Sequence, residues 1–151
     1  MNKILGEIYK EIDDRFVQMV DFRRRIHQNA ELSFEEVETA EFVEDFYKDK
    51  DVEITSHMGG NGLRVIIDTG KSGKTIALRA DFDALPIKEE TGLSFASKNE
   101  GVMHACGHDA HTAYLMVLGD ILREKKEKLS GKIVLIHQPV SYTHLRAHET
   151  S

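Results

Sequence analysis

The sequence has little cysteine, proline or tryptophan: one Cys, two Pro and no Trp among 151 residues. A single cysteine excludes an internal disulfide, so Cys106 is either a small buried hydrophobe or a chemically active group. No apolar run approaches the roughly 20 residues that a membrane helix needs, and no small-residue cleavage site follows the N-terminus. We therefore expect no membrane span, no signal peptide and a cytoplasmic location.

Positive charge is also scarce, with 20 Lys and Arg against 26 Asp and Glu and a net charge of −6. This balance argues against nucleic-acid binding, which depends on clustered basic residues. The exception is Arg23-Arg24-Arg25, which we interpret as a solvated helix face. Hydrophobic residues make up 40% of the chain, enough for one domain with a core.

The spacing of apolar residues predicts the elements of the chain. Helical spacing is found at 4–27, 31–47 and 109–122. Ser33 with Glu36 fits a capping box for the second helix. Strand-like runs lie at 52–54, 63–67, 75–79 and 133–136. The short link between the second and third strands suggests an antiparallel hairpin. Helices first, then strands with one long helix, predict an α/β fold.

The densest chemical signal is a set of four possible metal ligands within eight residues, His104, Cys106, His108 and His111. In an extended segment, residues two apart point the same way, so Cys106 and His108 can address one ion. A helix N-terminus nearby favours the thiolate, and thiolate with imidazole suits zinc or a similar divalent metal. The alternative is that Cys106 is core and the histidines are surface or hydrogen-bonded residues.

Asp81-Phe82-Asp83 ends a predicted strand and begins a loop, the usual place for catalytic carboxylates in α/β folds. Period two places both acids on one side and Phe82 on the other. One acid could orient a ligating imidazole or bind metal itself. The alternative is a carboxylate that caps a turn. The loop over 81–106 is long, and such loops are more often functional than idle.

Two other patterns mislead. Gly70-Lys71-Ser72-Gly73-Lys74-Thr75 looks like a phosphate loop, but Asp68 stands where the first glycine is needed and a strand follows. We interpret it as a hairpin turn. His144-Leu145-Arg146-Ala147-His148 has zinc-protease spacing without the required glutamate. We interpret it as coincidence.

Two longer segments resemble a known family. Residues 78–87 (LRADFDALPI) and 101–112 (GVMHACGHDAHT) are similar to the aminoacylase/carboxypeptidase family of metallopeptidases. The branch is that of hippurate hydrolases and N-acyl-amino-acid amidohydrolases. Residues 24–36 (RRIHQNAELSFEE) resemble its N-terminal signature, and the similarity runs from about residue 20 to Pro139.

The resemblance implies a metal-dependent amidohydrolase of N-acyl amino acids or small peptides. It implies a three-layer α/β/α zinc-peptidase-like catalytic domain, and a homo-oligomer formed through an inserted domain. Cys106 and His108 match metal ligands, while Asp83 and, second to it, Asp81 match the catalytic carboxylate segment. His104 and His111 would support the ligands without binding the ion. The metal would be zinc, manganese, cobalt or nickel.

The resemblance ends at Pro139. Family members continue with Gln-Pro-Ala-Glu-Glu, which supplies a general base and a ligand, whereas Gln138-Pro139 is followed here by Val140-Ser141-Tyr142. We therefore expect residues 1–139 to be the N-terminal part of the catalytic domain and 140–151 a non-native tail, the alternative being a divergent natural C-terminus. The chain alone would be an inactive metal-binding or interaction module. Its inner strand at 133–136 would have an open edge where a neighbour is lost.

Overall fold

A computed structural model describes residues 3–139 of the chain. The helices are α1 (Lys3–Asp14), α2 (Phe16–Gln28), α3 (Val37–Tyr47) and α4 (His108–Glu124), followed by a short 3-10 turn at Lys126–Lys128. The strands are β1 (Glu53–Met58), β2 (Gly62–Asp68), β3 (Thr75–Asp81) and β4 (Lys132–Gln138). The predicted tail at 140–151 lies outside the described residues. No helix within 3–139 is long and apolar enough to cross a membrane.

The four strands form one sheet in the order β1-β2-β4-β3. The predicted hairpin of β2 with β3 is wrong, because β4 lies between them, antiparallel to β2 and parallel to β3. Helix α4 makes the crossover that the parallel pair requires. The prediction of an inner strand at 133–136 is confirmed. The prediction that this strand has an open edge, where a neighbouring strand is missing, is wrong. Both sides of β4 are paired, and the open edges of the described sheet are β1 and β3.

The core lies between the sheet and two helices. Alternate residues of β2 and β4 are buried against Val43 and Tyr47 of α3 and Leu115 and Met116 of α4. The intervening residues Ile66, Val134 and Ile136 are only half-buried. The described residues thus supply the sheet and a helical layer on one of its faces, and the predicted α/β class is confirmed.

Two predicted helices differ from the observed ones. The segment 4–27 is broken at Arg15, whose guanidinium binds Asp120 at 2.9 Å and also contacts Glu124. The segment 31–47 becomes helical only at Val37. Ser33 does not cap it, because its hydroxyl donates to the Asp83 carboxylate at 2.9 Å.

The arginine run lies on an exposed helix face at Arg24 and Arg25, as predicted, whereas Arg23 is half-buried. Arg23 Nε donates to Asp109 Oδ2 at 2.9 Å. The guanidinium of Arg24 lies 5.1 Å from the ring centre of Phe95, and that of Arg25 lies 4.1 Å from the ring of Phe42. Flat guanidinium groups stack well on aromatic rings, so these arginines cover apolar surface.

The glycine-rich segment after β2 is a turn, but not the hairpin turn that we predicted, because β4 lies between β2 and β3. Gly131 N–H donates to the Lys71 carbonyl at 3.0 Å, and the backbone at Gly73 lies against Gly131. The turn therefore closes on the start of β4 and leaves no cradle for a phosphate.

Candidate metal centre

The two predicted motifs meet where β3 ends and α4 begins. Phe82 is fully buried in the core, whereas Asp81 and Asp83 both approach the ring of His108, on one side as period two predicted. Thr112 of α4 donates its hydroxyl to the Asp81 carbonyl at 2.9 Å. The Phe82 N–H donates to the Gln138 carbonyl at 3.0 Å, which extends the pairing of β3 with β4. Backbone contacts thus hold the carboxylates in place.

His108 is oriented by Asp83. Its Nδ1 lies 2.8 Å from the Asp83 backbone carbonyl and 3.0 Å from the Asp83 carboxylate. A carbonyl oxygen only accepts, so Nδ1 carries a hydrogen, and in the neutral ring Nε2 keeps a lone pair. The hydrogen bond to the Asp83 side chain raises the pKa of His108. A carboxylate behind an imidazole is the usual arrangement around a ligating histidine.

Asp81 faces the other nitrogen of that ring, with Oδ2 lying 4.0 Å from His108 Nε2. Tetrahedral ligand atoms about 2 Å from a zinc ion lie roughly 3.3 Å apart, so Asp81 and His108 have to move slightly closer to contact one ion. Cys106 is exposed, which contradicts the interpretation as a core residue. The residues fit part of a metal site. Within 3–139 there is no group of three or more His, Cys, Asp or Glu side chains that could hold an ion.

The other two histidines of the motif have different environments. His104 is 4% exposed, and burial lowers its pKa to about 4, so its ring is neutral at pH 7. Neither of its ring nitrogens has a hydrogen-bond partner among the described residues. His111 is exposed, with its ring centre 5.8 Å from that of His108. Both lie beside the predicted ligands, His104 in the protein interior and His111 on the surface.

The sequence analysis missed a buried network behind this site. His27 of α2 lies between two carboxylates, with Nδ1 2.8 Å from Asp109 and Nε2 3.1 Å from Glu89. All three side chains are at most 5% exposed. The available signals were a histidine beside the apolar Ile26 and an acid in the first turn of a helix. Neither signal identifies its partner, because the partners are 62 and 82 residues away.

Glu89 organises the long loop between β3 and α4. Burial works against its charged form, but hydrogen bonds from the Ser97 N–H, the Thr91 hydroxyl and His27 outweigh burial and lower the pKa of Glu89. The side-chain amide of Asn99 donates to the Ala30 carbonyl at 2.7 Å. The loop is therefore docked on the end of α2.

An apolar cavity of about 410 Å³ lies at the ends of β2 and β4, with Phe34, Met58, Leu63, Ile136 and Pro139 in its wall. None of the predicted ligands lines it. Gln138, which pairs with Asp81 across the sheet, connects the cavity to the carboxylate segment.

Comparison with known proteins gives consistent results. Residues 77–140 match the sequence profile of Peptidase family M20/M25/M40. The chain is 48% identical over 122 residues to the N-acetyl-L-cysteine deacetylase of Bacillus subtilis, covering 81% of this chain and 29% of that protein. It is similar to a solved Staphylococcus aureus structure at 54% identity and a TM-score of 0.90, covering 95% of this chain and 36% of that one.

A second solved structure is the Bacillus subtilis YXEP protein, a dinuclear metal-binding peptidase of the M20 family. The match has 40% identity and a TM-score of 0.78, and covers 82% of this chain and 35% of that one. The chain spans about a third of the length of each of these relatives. The predicted resemblance and the peptidase-like fold are both confirmed. The chain is therefore similar to Peptidase family M20/M25/M40, whose profile residues 77–140 match and to which a solved neighbour belongs.

Proposed function

We propose that this chain supplies part of the metal centre of an amidohydrolase that cleaves the amide bond of N-acyl amino acids or small peptides. The observation that carries the proposal is the orientation of His108. Asp83 holds Nδ1 on two sides, so that Nε2 faces the Asp81 carboxylate. Such an arrangement presents a neutral imidazole lone pair to a cation.

In this proposal His108 and Cys106 hold a divalent ion, with Asp81 beside them and Asp83 fixing the imidazole. Zinc, manganese, cobalt and nickel all suit imidazole, thiolate and carboxylate ligands. A bound metal polarises an amide carbonyl and lowers the pKa of a bound water. Of the acids among the described residues, Asp81 lies beside the ion and Asp83 orients the imidazole of His108. In this proposal, the glutamate that accepts the proton from water is not among residues 3–139.

The substrate and setting are further parts of the proposal. The name of the 48% identical relative, an N-acetyl-L-cysteine deacetylase, supports a small N-acyl amino acid as substrate. The net charge of −6 gives no support to a nucleic-acid partner. We propose a cytoplasmic protein that assembles as a homo-oligomer through a domain other than residues 1–139, which we propose to be the N-terminal part of the catalytic domain.

A cobalt titration of the 151-residue chain tests the metal centre. We expect weak binding, because a catalytic zinc site normally has three protein ligands. We also expect a thiolate-to-cobalt absorption band that disappears in Cys106→Ala and weakens in His108→Ala. The control is His57→Asn, on the opposite edge strand β1, where asparagine tolerates the positive φ of 60°. A band unchanged by Cys106→Ala would contradict the assignment.

The hydrolysis itself is tested by a chimera. Residues 1–139 replace the matched segment of the Bacillus subtilis deacetylase, and release of free amino acid from N-acetyl amino acids and hippurate is measured with zinc, manganese or cobalt. We expect turnover that Cys106→Ala abolishes, and no turnover from the 151-residue chain alone. A folded chimera that binds metal but hydrolyses none of these substrates would contradict the proposed reaction. Turnover by the 151-residue chain that Cys106→Ala abolishes would contradict the view of it as an inactive module.

A further inference from the structure

The buried network around His27 joins three distant parts of the chain. Asp109 belongs to the first turn of α4 and follows His108 directly. Glu89 belongs to the long loop between β3 and α4, and His27 lies near the end of α2. Arg23, one turn before His27, donates to the same Asp109 oxygen at 2.9 Å. A single imidazole therefore links the scaffold helix, the loop and the residue beside a predicted ligand.

The contacts of His27 are specific in direction. Its two ring nitrogens face two different carboxylates, Asp109 at 2.8 Å and Glu89 at 3.1 Å. The edge of Phe95 packs against the ring, with centroids 5.5 Å apart. Buried charge-assisted hydrogen bonds are stronger than neutral ones, and they fix the angle of the groups that they join. The ring cannot turn without breaking both contacts.

Consecutive residues of α4 are thus held from opposite sides. His108 is held by Asp83 after β3, and Asp109 is held by His27 and Arg23 of α2. Between Cys106 and His108 lies Gly107, whose φ of +81° makes the link between the two predicted ligands a left-handed residue without a side chain. Because Gly107 is flexible, Cys106 and His108 keep a fixed separation only if the start of α4 is itself held in place.

We propose that His27 is a positioning residue for the metal centre, because its ring anchors Asp109 to α2 and ties the Glu89 loop to the same point. His27 touches neither the metal nor the substrate, and it acts through Asp109 on the turn that carries Cys106 and His108. The inference deepens the proposed function and depends on it only for the metal-binding measurement below.

Two conservative variants separate the two contacts. The amide nitrogen of asparagine occupies the place of Nδ1, so His27→Asn keeps a donor for Asp109 and loses Glu89. Glutamine places its amide nitrogen near Nε2, so His27→Gln keeps Glu89 and loses Asp109. The matched control is His137→Gln, the same change at an equally buried histidine on β4, where Nε2 faces the Tyr47 hydroxyl at 3.5 Å.

Amide hydrogen exchange of the full 151-residue chain is the primary readout. In His27→Gln we expect faster exchange in peptides covering 104–112, with little change in β2 and β4. In His27→Asn we expect faster exchange mainly at 88–99. The control should change the sheet peptides and leave 104–112 as in the wild type. The proposal would be overturned if hydrogen exchange were equally faster in all three variants, or unchanged at 104–112 in His27→Gln. His27 would then contribute only to general stability.

Cobalt affinity is the second readout. Loss of a residue that orients a ligand typically lowers metal affinity by roughly 10- to 100-fold. We expect such a loss in His27→Gln, a smaller one in His27→Asn and none in the control. If the wild-type chain binds no cobalt, the proposed function fails, and hydrogen exchange alone decides the positioning role. If the wild type binds cobalt and His27→Gln binds it equally well, the positioning role fails while the proposed function stands.

Discussion

At the scale of single residues, the molecule buries several ionisable groups that lack full compensation. Glu36 is completely buried, and one of its carboxylate oxygens has no hydrogen-bond partner among residues 3–139. Burial raises the pKa of Glu36 to about 7, and the nearby charge of Asp83 acts in the same direction. Uncompensated groups of this kind make stability depend on pH, with a sign that each pKa determines.

Substituting Glu36→Gln should stabilise the protein at high pH. Because the pKa of Glu36 rises from 4.5 to about 7 on folding, the protonated form is favoured in the folded state. Its stabilising contribution is complete below pH 4.5 and is lost as pH rises through 7. We expect Glu36→Gln to be close to neutral at pH 5 and more stable by on the order of 2 kcal/mol at pH 8.5. Urea unfolding at both pH values measures this, and equal effects at the two would refute it.

His137 should have the opposite pH dependence. Burial lowers the pKa of this fully buried ring from 6.5 to about 3. The unfolded chain therefore takes up the proton first, and His137 costs stability as pH falls from 6.5 towards 3. The cost is about 1.4 kcal/mol per pH unit. In His137→Leu the fall in unfolding free energy between pH 7.5 and 5 should be smaller. A fall identical to that of the wild type would show that His137 does not contribute.

At the scale of elements, the sequence predicted types better than partners. Strands at 63–67, 75–79 and 133–136 and the helix from 109 are confirmed, because their apolar periods are local. The β2–β3 hairpin failed because the strand that separates the two lies more than 50 residues further along the chain. The capping box failed because Ser33 donates to Asp83, 50 residues away.

In the site, too, local features could be predicted and contacts between distant residues could not. Its ligand types and the facing of Asp81 and Asp83 could be predicted from residue chemistry and period two. The sequence left open whether Asp83 orients an imidazole or binds metal itself. The distances from Asp83 to His108 Nδ1 favour the first alternative. The ligand assignments themselves stay predictions. The His27 network could not be predicted, since its three members come from three separate segments.

The close contact of two backbones gives a prediction for the turn after β2. A Cβ on Gly131 would lie 2.0 Å from the Lys74 carbonyl oxygen, and its φ of +80° disfavours any side chain. Gly131→Ala should therefore destabilise the protein by more than about 3 kcal/mol. The control Gly70→Ala has a similar φ of +69° with open space around it, and should cost only the backbone strain of about 1–2 kcal/mol. Thermal melts compare the two, and equal costs would contradict the steric argument.

At the scale of the whole molecule, the described sheet has an unpaired edge at β3. Ile76 on this strand is 57% exposed, and an open apolar edge is a template for pairing with another chain. The tail boundary at residue 139 remains a prediction, but this edge is part of the described fold. Association of the 151-residue chain should therefore start there rather than at β4.

A charge at the edge should reduce that association. We expect the wild-type chain to self-associate with increasing concentration, and Ile76→Lys to be more monomeric in light scattering. The control Val17→Lys adds the same charge at a residue that is 71% exposed on α2, away from the edge. A wild-type monomer with a sharp two-state melt would contradict the expectation. Equal effects of both lysines would assign the change to net charge alone.

The strand order also bears on how the chain is made. One of the two inner strands of the described sheet, β4, is the last of the four to be synthesised. Until residue 138 has left the ribosome, β3 has no paired strand in the described sheet and β2 is paired only with β1, so their apolar side chains have no complete core to join. Pairings that join distant parts of a chain form slowly. This segment is thus expected to fold late during translation, with its two motifs exposed to chaperones until the final strand inserts.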